Sequence, residues 1–438
     1  MLNLSSKSLK KKFYTLRSTY NMRGFADLMV EIFQTYTALL KAKKPIPPEF
    51  AEYYNHVDVF SYVTLQELSK HNGKRALKYI EAIVKLNPKL PQMMFHIYYM
   101  LGISHYVSKN FQQAEENLKA YLDIRKAIWH DSDEIALFYF GNTFAFKHEF
   151  ANAKSAYEQC LKMKKSFTEA AENLEIINSI MNDLSNEKLN IERLKKLNQY
   201  AEKSFLEIDE NDEAACFNIP IFINARDRLG LMKNLIDWLL DSGYTNIIIL
   251  DNNSTYPPLL EYYKSLNGDK RVKVIRINKN VGFKSIWQIG ILEYLDIRTP
   301  YVYTDPDVIP IDSCPKNVVQ QLLKILKRNT FIKKVGLGLV FEDITFFNKE
   351  KIKVAQNRFY ATTAIDKDVY YSQVDTTFAL YCNCRHYNLR FSCRTLGDLM
   401  VKHMPWYFDY DNLPEDEQYY LEHSDNSSTT NNALRKSN

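Results

Sequence analysis

Between residues 219 and 304 short apolar runs alternate with amphipathic helices, and this alternation constrains the fold more than any other feature of the chain. Ile219-Pro220-Ile221-Phe222-Ile223, Asn246-Ile247-Ile248-Ile249-Leu250, Val272-Lys273-Val274-Ile275-Arg276 and Tyr301-Val302-Tyr303-Thr304 read as strands. Residues 229–242, 256–266 and 283–295 carry helical spacing between them. Apolar strands joined by helical crossovers predict a mainly parallel sheet covered on both faces. Such sheets bind ligands beyond the carboxyl ends of their strands. A polar cluster follows each run: Asn224-Ala225-Arg226-Asp227, Asp251-Asn252-Asn253-Ser254, Asn278-Lys279-Asn280 and Asp305-Pro306-Asp307. The topology directs all of them to one crevice.

The last cluster has the most chemistry. Pro306 fixes its own φ and keeps Asp305 out of helical geometry, so two carboxylates flank a stiff turn. Carboxylate oxygens are hard donors for Mg²⁺ or Mn²⁺, ions that also take phosphate oxygens. Alone, an Asp-x-Asp tripeptide is most often a solvated turn. At the end of the fourth strand it points to a metal–diphosphate site.

Residues 217–312 resemble a GT-A glycosyltransferase of the broad group that includes family two. The resemblance rests on Phe222-Ile223-Asn224-Ala225-Arg226, Ile249-Leu250-Asp251-Asn252-Asn253-Ser254, Asn278-Lys279-Asn280-Val281-Gly282-Phe283 and Tyr303-Thr304-Asp305-Pro306-Asp307. It implies that Asn224, Arg226 and Asp251 surround base and ribose, and that Asn280 and Gly282 line the nucleotide pocket. Lys284 either approaches the diphosphate or merely begins a helix. The resemblance also implies that Asp305 and Asp307 bind Mn²⁺ or Mg²⁺, with Asp305 touching the nucleotide sugar as well. His403 is the candidate for a further metal ligand; its alternative is packing against Trp406. Asp343 and Asp375 compete to be the base that takes the acceptor's proton. The implied reaction moves a sugar from a UDP- or GDP-sugar to a glycan, lipid-linked or protein acceptor, as in polysaccharide biosynthesis. Two rivals stand beside it. One is a non-catalytic scaffold with a relic of this fold, against which the intact carboxylate pair argues. The other is a nucleotidyltransferase, which wants a Gly-rich basic loop where this chain has Asn224-Ala225-Arg226-Asp227-Arg228.

The first half reads as helices over 23–43, 57–70, 74–86, 92–108, 111–129, 133–148, 151–164 and 167–203. Breakers separate them at Pro45-Ile46-Pro47-Pro48, His71-Asn72-Gly73, Asn87-Pro88 and Lys109-Asn110. Ala76, Ala114 and Ala153 recur at near-equal spacing, and Gly102 and Gly141 each precede one of them by the same interval. Residues 57–165 thus resemble tetratricopeptide repeats with lengthened turns; a plain helical bundle is the alternative. Such a half would bind an acceptor or a protein partner. The expected organisation is an all-α helical-repeat domain over 1–207, an α/β domain over 208–423 and a disordered tail over 424–438.

Of the 438 residues 46% are hydrophobic and 25% charged, which excludes bulk disorder. The net charge of +5 is mild, and Lys7, Lys10, Lys11, Lys12 and Arg17 contribute to it. That run suits a solvated helix face or weak attraction to an anionic membrane. Nucleic-acid binding would need a basic stripe on a known motif, and the sequence has none. Residues 1–20 lack an apolar core segment and no run is long enough to span a bilayer, so a cytoplasmic location is expected, with the inner membrane face as a variant. The six cysteines are then expected to be free thiols. Cys382, Cys384, His386 and Cys393 cluster, but with one residue between the first pair rather than the two to four usual for zinc.

Overall fold

The computed structural model describes residues 12, 15–16, 19–41, 57–201, 208–329, 332–345, 349–361 and 364–424. Lys7, Lys10, Lys11, Arg17, the proline cluster 45–48 and the segment 425–438 lie outside the described residues. Contacts divide the chain into two units: Met1–Lys203 with Thr362–Lys367, and Ser204–Ala361 with Asp368–Asn438.

The described part of Met1–Lys203 is helical. Its helices include Val57–Leu68, Gly73–Leu86, His96–Val107, Phe111–Trp129, Glu134–Phe146, Phe150–Met163 and Thr168–Asn182. Residues 167–203, expected as one helix, are divided between Thr168–Asn182 and Glu187–Lys195, with Asn186 capping the second through Leu189 N. Ala76, Ala114 and Ala153 are fully buried. A Cβ on Gly102 would stand 2.6 Å from Leu118 Cγ, and one on Gly141 would stand 2.6 Å from Tyr157 Cε1. Each glycine therefore lets its helix lie against the next one closely, as the recurring Gly-to-Ala interval implies. Asn142 then gathers several chains of the unit in one buried network. Its Nδ2 donates to Tyr106 Oη at 3.1 Å and to Asn198 O at 3.0 Å. Its Oδ1 accepts from Tyr157 Oη at 2.5 Å and Asn173 Nδ2 at 2.9 Å.

In the second unit the strands are β1 (Ile221–Ala225), β2 (Ile247–Asn252), β3 (Val272–Ile277), β4 (Tyr301–Thr304), β5 (Val308–Pro310), β6 (Lys334–Gly336), β7 (Gly338–Leu339), β8 (Val369–Tyr371), β9 (Ala379–Tyr381), β10 (Ser392–Thr395) and β11 (Met400–His403). The larger sheet runs β3-β2-β1-β4-β9-β6-β10-β8 across this unit, and β5-β11-β7 form a smaller one. β1 pairs parallel with β2 and β4, and β2 pairs parallel with β3. β9 then lies antiparallel between β4 and β6, so the sheet is mixed beyond β4. β1, β2 and β4 are almost wholly buried while β3, at the edge, is half open.

One local expectation changes in this unit. The predicted helix 283–295 is two short pieces, Ser285–Gln288 and Ile291–Tyr294, separated where Gly290 turns left-handed at φ +67°. Of the segment 374–381 only Ala379–Tyr381 is strand, and residues 374–378 lead into it. The apolar run 335–339 serves both sheets, ending β6 and forming β7. All six cysteines are buried, with Cys382 Sγ and Cys384 Sγ 3.8 Å apart. No helix among the described residues is long and apolar enough to cross a membrane.

Candidate functional site

Strand order reverses between β1 and β4: the chain builds outward through β2 and β3, then returns to the other side of β1. A crevice opens at the carboxyl ends of strands at such a point. Arg226-Asp227-Arg228 leaves β1 on one side of it, and Asp305-Pro306-Asp307 leaves β4 on the other. The Arg228 Nη1–Asp307 Oδ2 ion pair spans the two. β9 runs antiparallel to β4, so the residues entering β9 arrive at the same end, and Thr376 Oγ1 donates to Asp305 Oδ2 at 2.8 Å. In the smaller sheet β11 lies antiparallel to β5 with His403 opposite Val308. That register brings His403 Nε2 to 3.5 Å from Asp307 Oδ2.

The loops after β2 and β3 are tied to the same end by side chains. Asp227, left-handed at φ +52°, caps the chain after β2: its Oδ1 accepts from Thr255 N at 2.6 Å and Tyr256 N at 2.9 Å. Asn252 donates to Gly282 O at 3.0 Å and accepts from Val281 N at 2.8 Å. Asn280 Oδ1 closes the turn on Gly282 N at 2.9 Å, and Gly282 sits at φ +76° with open space where a side chain would project. Ser285 Oγ donates to Asn224 Oδ1 at 2.7 Å, and Tyr303 Oη donates to Phe283 O at 2.7 Å.

The carboxylates are electrically unequal. Burial holds the Asp305 carboxyl up to about 7, and the neighbouring Asp307 charge adds to the effect. Asp307 goes the other way. Burial would raise it, but His403 and Arg228 together drive it well below the usual carboxylate range. Asp307 Oδ1 and His403 Nδ1 are both buried with no hydrogen-bond partner among the described residues.

Of the expected site residues, Asp307 and His403 come together directly, and Asp305 stands two residues from Asp307 at the same strand end with Thr376 on its Oδ2. Asp375 is next to Thr376 in sequence, exposed, and accepts from Tyr387 Oη at 2.8 Å. Lys284 Nζ lies 5.2 Å from the Tyr387 ring centre, on the same side of the crevice. Asn224, Asn280 and Gly282 build the β1 and β3 ends as described. Asp251 is fully buried, with Arg276 Nε at 2.9 Å and Tyr263 Oη at 3.2 Å on its oxygens. Arg226 is half-buried and turned to the C-terminal helix, donating to His423 O at 3.1 Å. Asp343 is apart from the carboxylate pair in its contacts: Lys402 Nζ at 2.7 Å and Tyr407 Oη at 2.8 Å engage it, and Lys402 holds its carboxyl below the usual range.

Three further residues belong to the site. Arg228 is the arginine of the β1 loop that faces Asp307, because the left-handed turn at Asp227 separates its direction from that of Arg226. Glu417, on the helix Glu415–His423, faces Arg228 Nε at 3.1 Å; burial pushes its carboxyl up to about 7, against the pull of Arg228. Lys334 of β6 is buried between aromatic rings, with Nζ 5.0 Å from the Tyr381 centre and 5.5 Å from that of Tyr387. Burial lowers its ammonium to about 7, while Asp375 opposes the shift.

No family model matches the chain, and no curated protein matches it. Among solved structures, similarity is found to a mannosyltransferase from Pyrobaculum calidifontis in complex with GDP-Man and Mn²⁺, at 10% identity over 57% of this chain and 79% of that one, with a TM-score of 0.31. A Thermobaculum terrenum O-GlcNAc transferase mutant matches at 10% identity over 50% of this chain and 40% of that one, with a TM-score of 0.23. Scores this low do not separate one α/β architecture from another, and the functional reading stands on the geometry of the crevice.

Proposed function

We propose that the second unit is a metal-dependent glycosyltransferase that moves a sugar from a UDP- or GDP-sugar to a hydroxyl of a glycan, lipid-linked or protein acceptor. The observation that supports this reading is the approach of His403 to Asp307, two residues from Asp305, at the β1/β4 reversal, in a crevice whose floor is the bonded ends of four parallel strands. The donor set fits a divalent cation: hard carboxylate oxygens and an imidazole, with Asp307 Oδ1 and His403 Nδ1 buried and unpartnered among the described residues. Asp305, Asp307 and His403 would hold the ion, which when bound supplies positive charge to a diphosphate leaving group.

The chain's own residues have the remaining work. The β1 loop and the Asn280–Lys284 turn make the nucleotide side of the pocket, and Asn224, Asn280 and Gly282 are its polar edge. Arg226 and Asp251 support that edge from outside and beneath. Lys284 is on the side where phosphate oxygens would lie. Asp375 is favoured over Asp343 as the base, since it adjoins the residue that holds Asp305 and is exposed to an incoming acceptor. In the transfer, the bond from the sugar's anomeric carbon to the diphosphate oxygen breaks, a bond from that carbon to the acceptor oxygen forms, and the acceptor proton passes to Asp375. The helical unit is assigned to acceptor or partner recognition.

A thermal-shift panel of nucleotide sugars, with and without Mn²⁺, tests the reading. Ligand at a hundred times its dissociation constant adds about 2.7 kcal/mol to the native state. One UDP- or GDP-sugar raising the melting temperature only when Mn²⁺ is present is the expected result. A folded sample that responds to none of them overturns it.

A further inference from the structure

We propose that Glu417 is a positioning residue of the cation site, acting through Arg228 on Asp307. The inference rests on the reading of Asp305 and Asp307 as cation ligands. Arg228 is shared by two buried carboxylates: Nη1 pairs with Asp307 Oδ2, and Nε faces Glu417 Oε2 at 3.1 Å. The side chains of Arg228, Asp307 and Glu417 are only 8%, 6% and 3% exposed, so water does little to dilute their interaction. The guanidinium is also fixed against an aromatic ring, its carbon 4.0 Å from the centre of Tyr420.

The helix that carries Glu417 is held in place by the loops it serves. Asp416 Oδ2 accepts from Gly230 N at 2.7 Å, and Tyr419 Oη lies 3.1 Å from Thr255 Oγ1. Glu417 is therefore held at a defined position against the β1 and β2 loops. Its charge offsets part of the positive charge that the guanidinium places beside Asp307. Removing that charge leaves Arg228 to bind Asp307 alone and adds one positive charge beside the cation site. Both effects weaken a divalent cation there. A neutral residue at 417 should thus act like a competing cation, although Glu417 is not a ligand.

Mn²⁺ titration of the full chain, followed by the electron paramagnetic resonance of free Mn²⁺, tests this with wild type, Glu417→Gln and Glu417→Asp. Glu417→Gln should weaken Mn²⁺ on the order of tenfold, as loss of an outer-shell partner does. The amide oxygen can still accept from Arg228, so the variant should remain folded, and its melting temperature without metal, measured alongside, checks that the loss of Mn²⁺ is not a loss of fold. Glu417→Asp, which keeps the charge, should recover most of the affinity. Wild-type affinity in Glu417→Gln overturns this inference alone, as does an equal loss in Glu417→Asp. Absence of Mn²⁺ binding in the wild type overturns the glycosyltransferase reading with it.

Discussion

The two units each bury a polar cluster, and the clusters are built on opposite principles. In the helical unit Asn142, Tyr106, Tyr157 and Asn173 are neutral, and the Asn142 amide finds partners for both of its ends. In the α/β unit Asp305, Asp307, Arg228 and Glu417 are ionisable. Asp307 Oδ1 and Glu417 Oε1 have no hydrogen-bond partner among the described residues. A satisfied neutral network fixes packing. Buried carboxylates with open oxygens cost stability, and that cost is maintained where a ligand completes the arrangement. Substitution in the first cluster should therefore damage the fold and spare binding, and substitution in the second should do the reverse.

Asn142→Ala gives the largest expected stability effect. It removes the acceptor of the buried Tyr157 hydroxyl and one of the Asn173 amide's acceptors, for a loss of about 3 kcal/mol in chemical denaturation. Mn²⁺ affinity measured well below the transition should be unchanged, and a shared loss would break the comparison. Gly141→Ala comes next, at about 2 kcal/mol, because the new methyl meets the Tyr157 ring. It should again leave binding alone.

Lys334→Met is the smallest effect and has the opposite sign. A buried ammonium lowered to about 7 from 10.5 means that the folded state holds fewer protons than the unfolded state between those values. Stability then rises as pH climbs from about 7 to 10.5, and the penalty of burying the charge is fully present below that window. The methionine variant should remove this slope and gain on the order of 1 kcal/mol at pH 6. An unchanged pH slope would show that Lys334 is ionised without penalty.

The strands β1 to β4 were legible because β-branched apolar runs, each closed by a polar cluster, have few other structures open to them. Asp305, Asp307 and His403 could be named as a group from the same pattern and the resemblance it carries. The β1 loop was read through Arg226, and nothing local distinguishes it from Arg228; the left-handed backbone at Asp227 does. Glu417 was not legible, since Glu415-Asp416-Glu417 opens a polar helix that looks solvated until Arg228 and Gly230 are placed against it. Lys334 is likewise a strand-flanking lysine in the sequence and a buried one only after Tyr381 and Tyr387 arrive from distant segments. In the helical unit Gly141 carried a signal, whereas Asn142 beside it did not, because its partners lie on four other segments. For Glu417 and Asn142 what escaped the sequence is a long-range polar pairing.

The most direct test of the account is calorimetric titration of Mn²⁺, with a nucleotide sugar present, into wild type and Asp305→Asn. Wild type should bind, and the variant should lose at least about a hundredfold in affinity, some 2.7 kcal/mol, with no loss of melting temperature in the metal-free state. Equal affinities in the two proteins would contradict the assignment of Asp305 and Asp307 as the cation site.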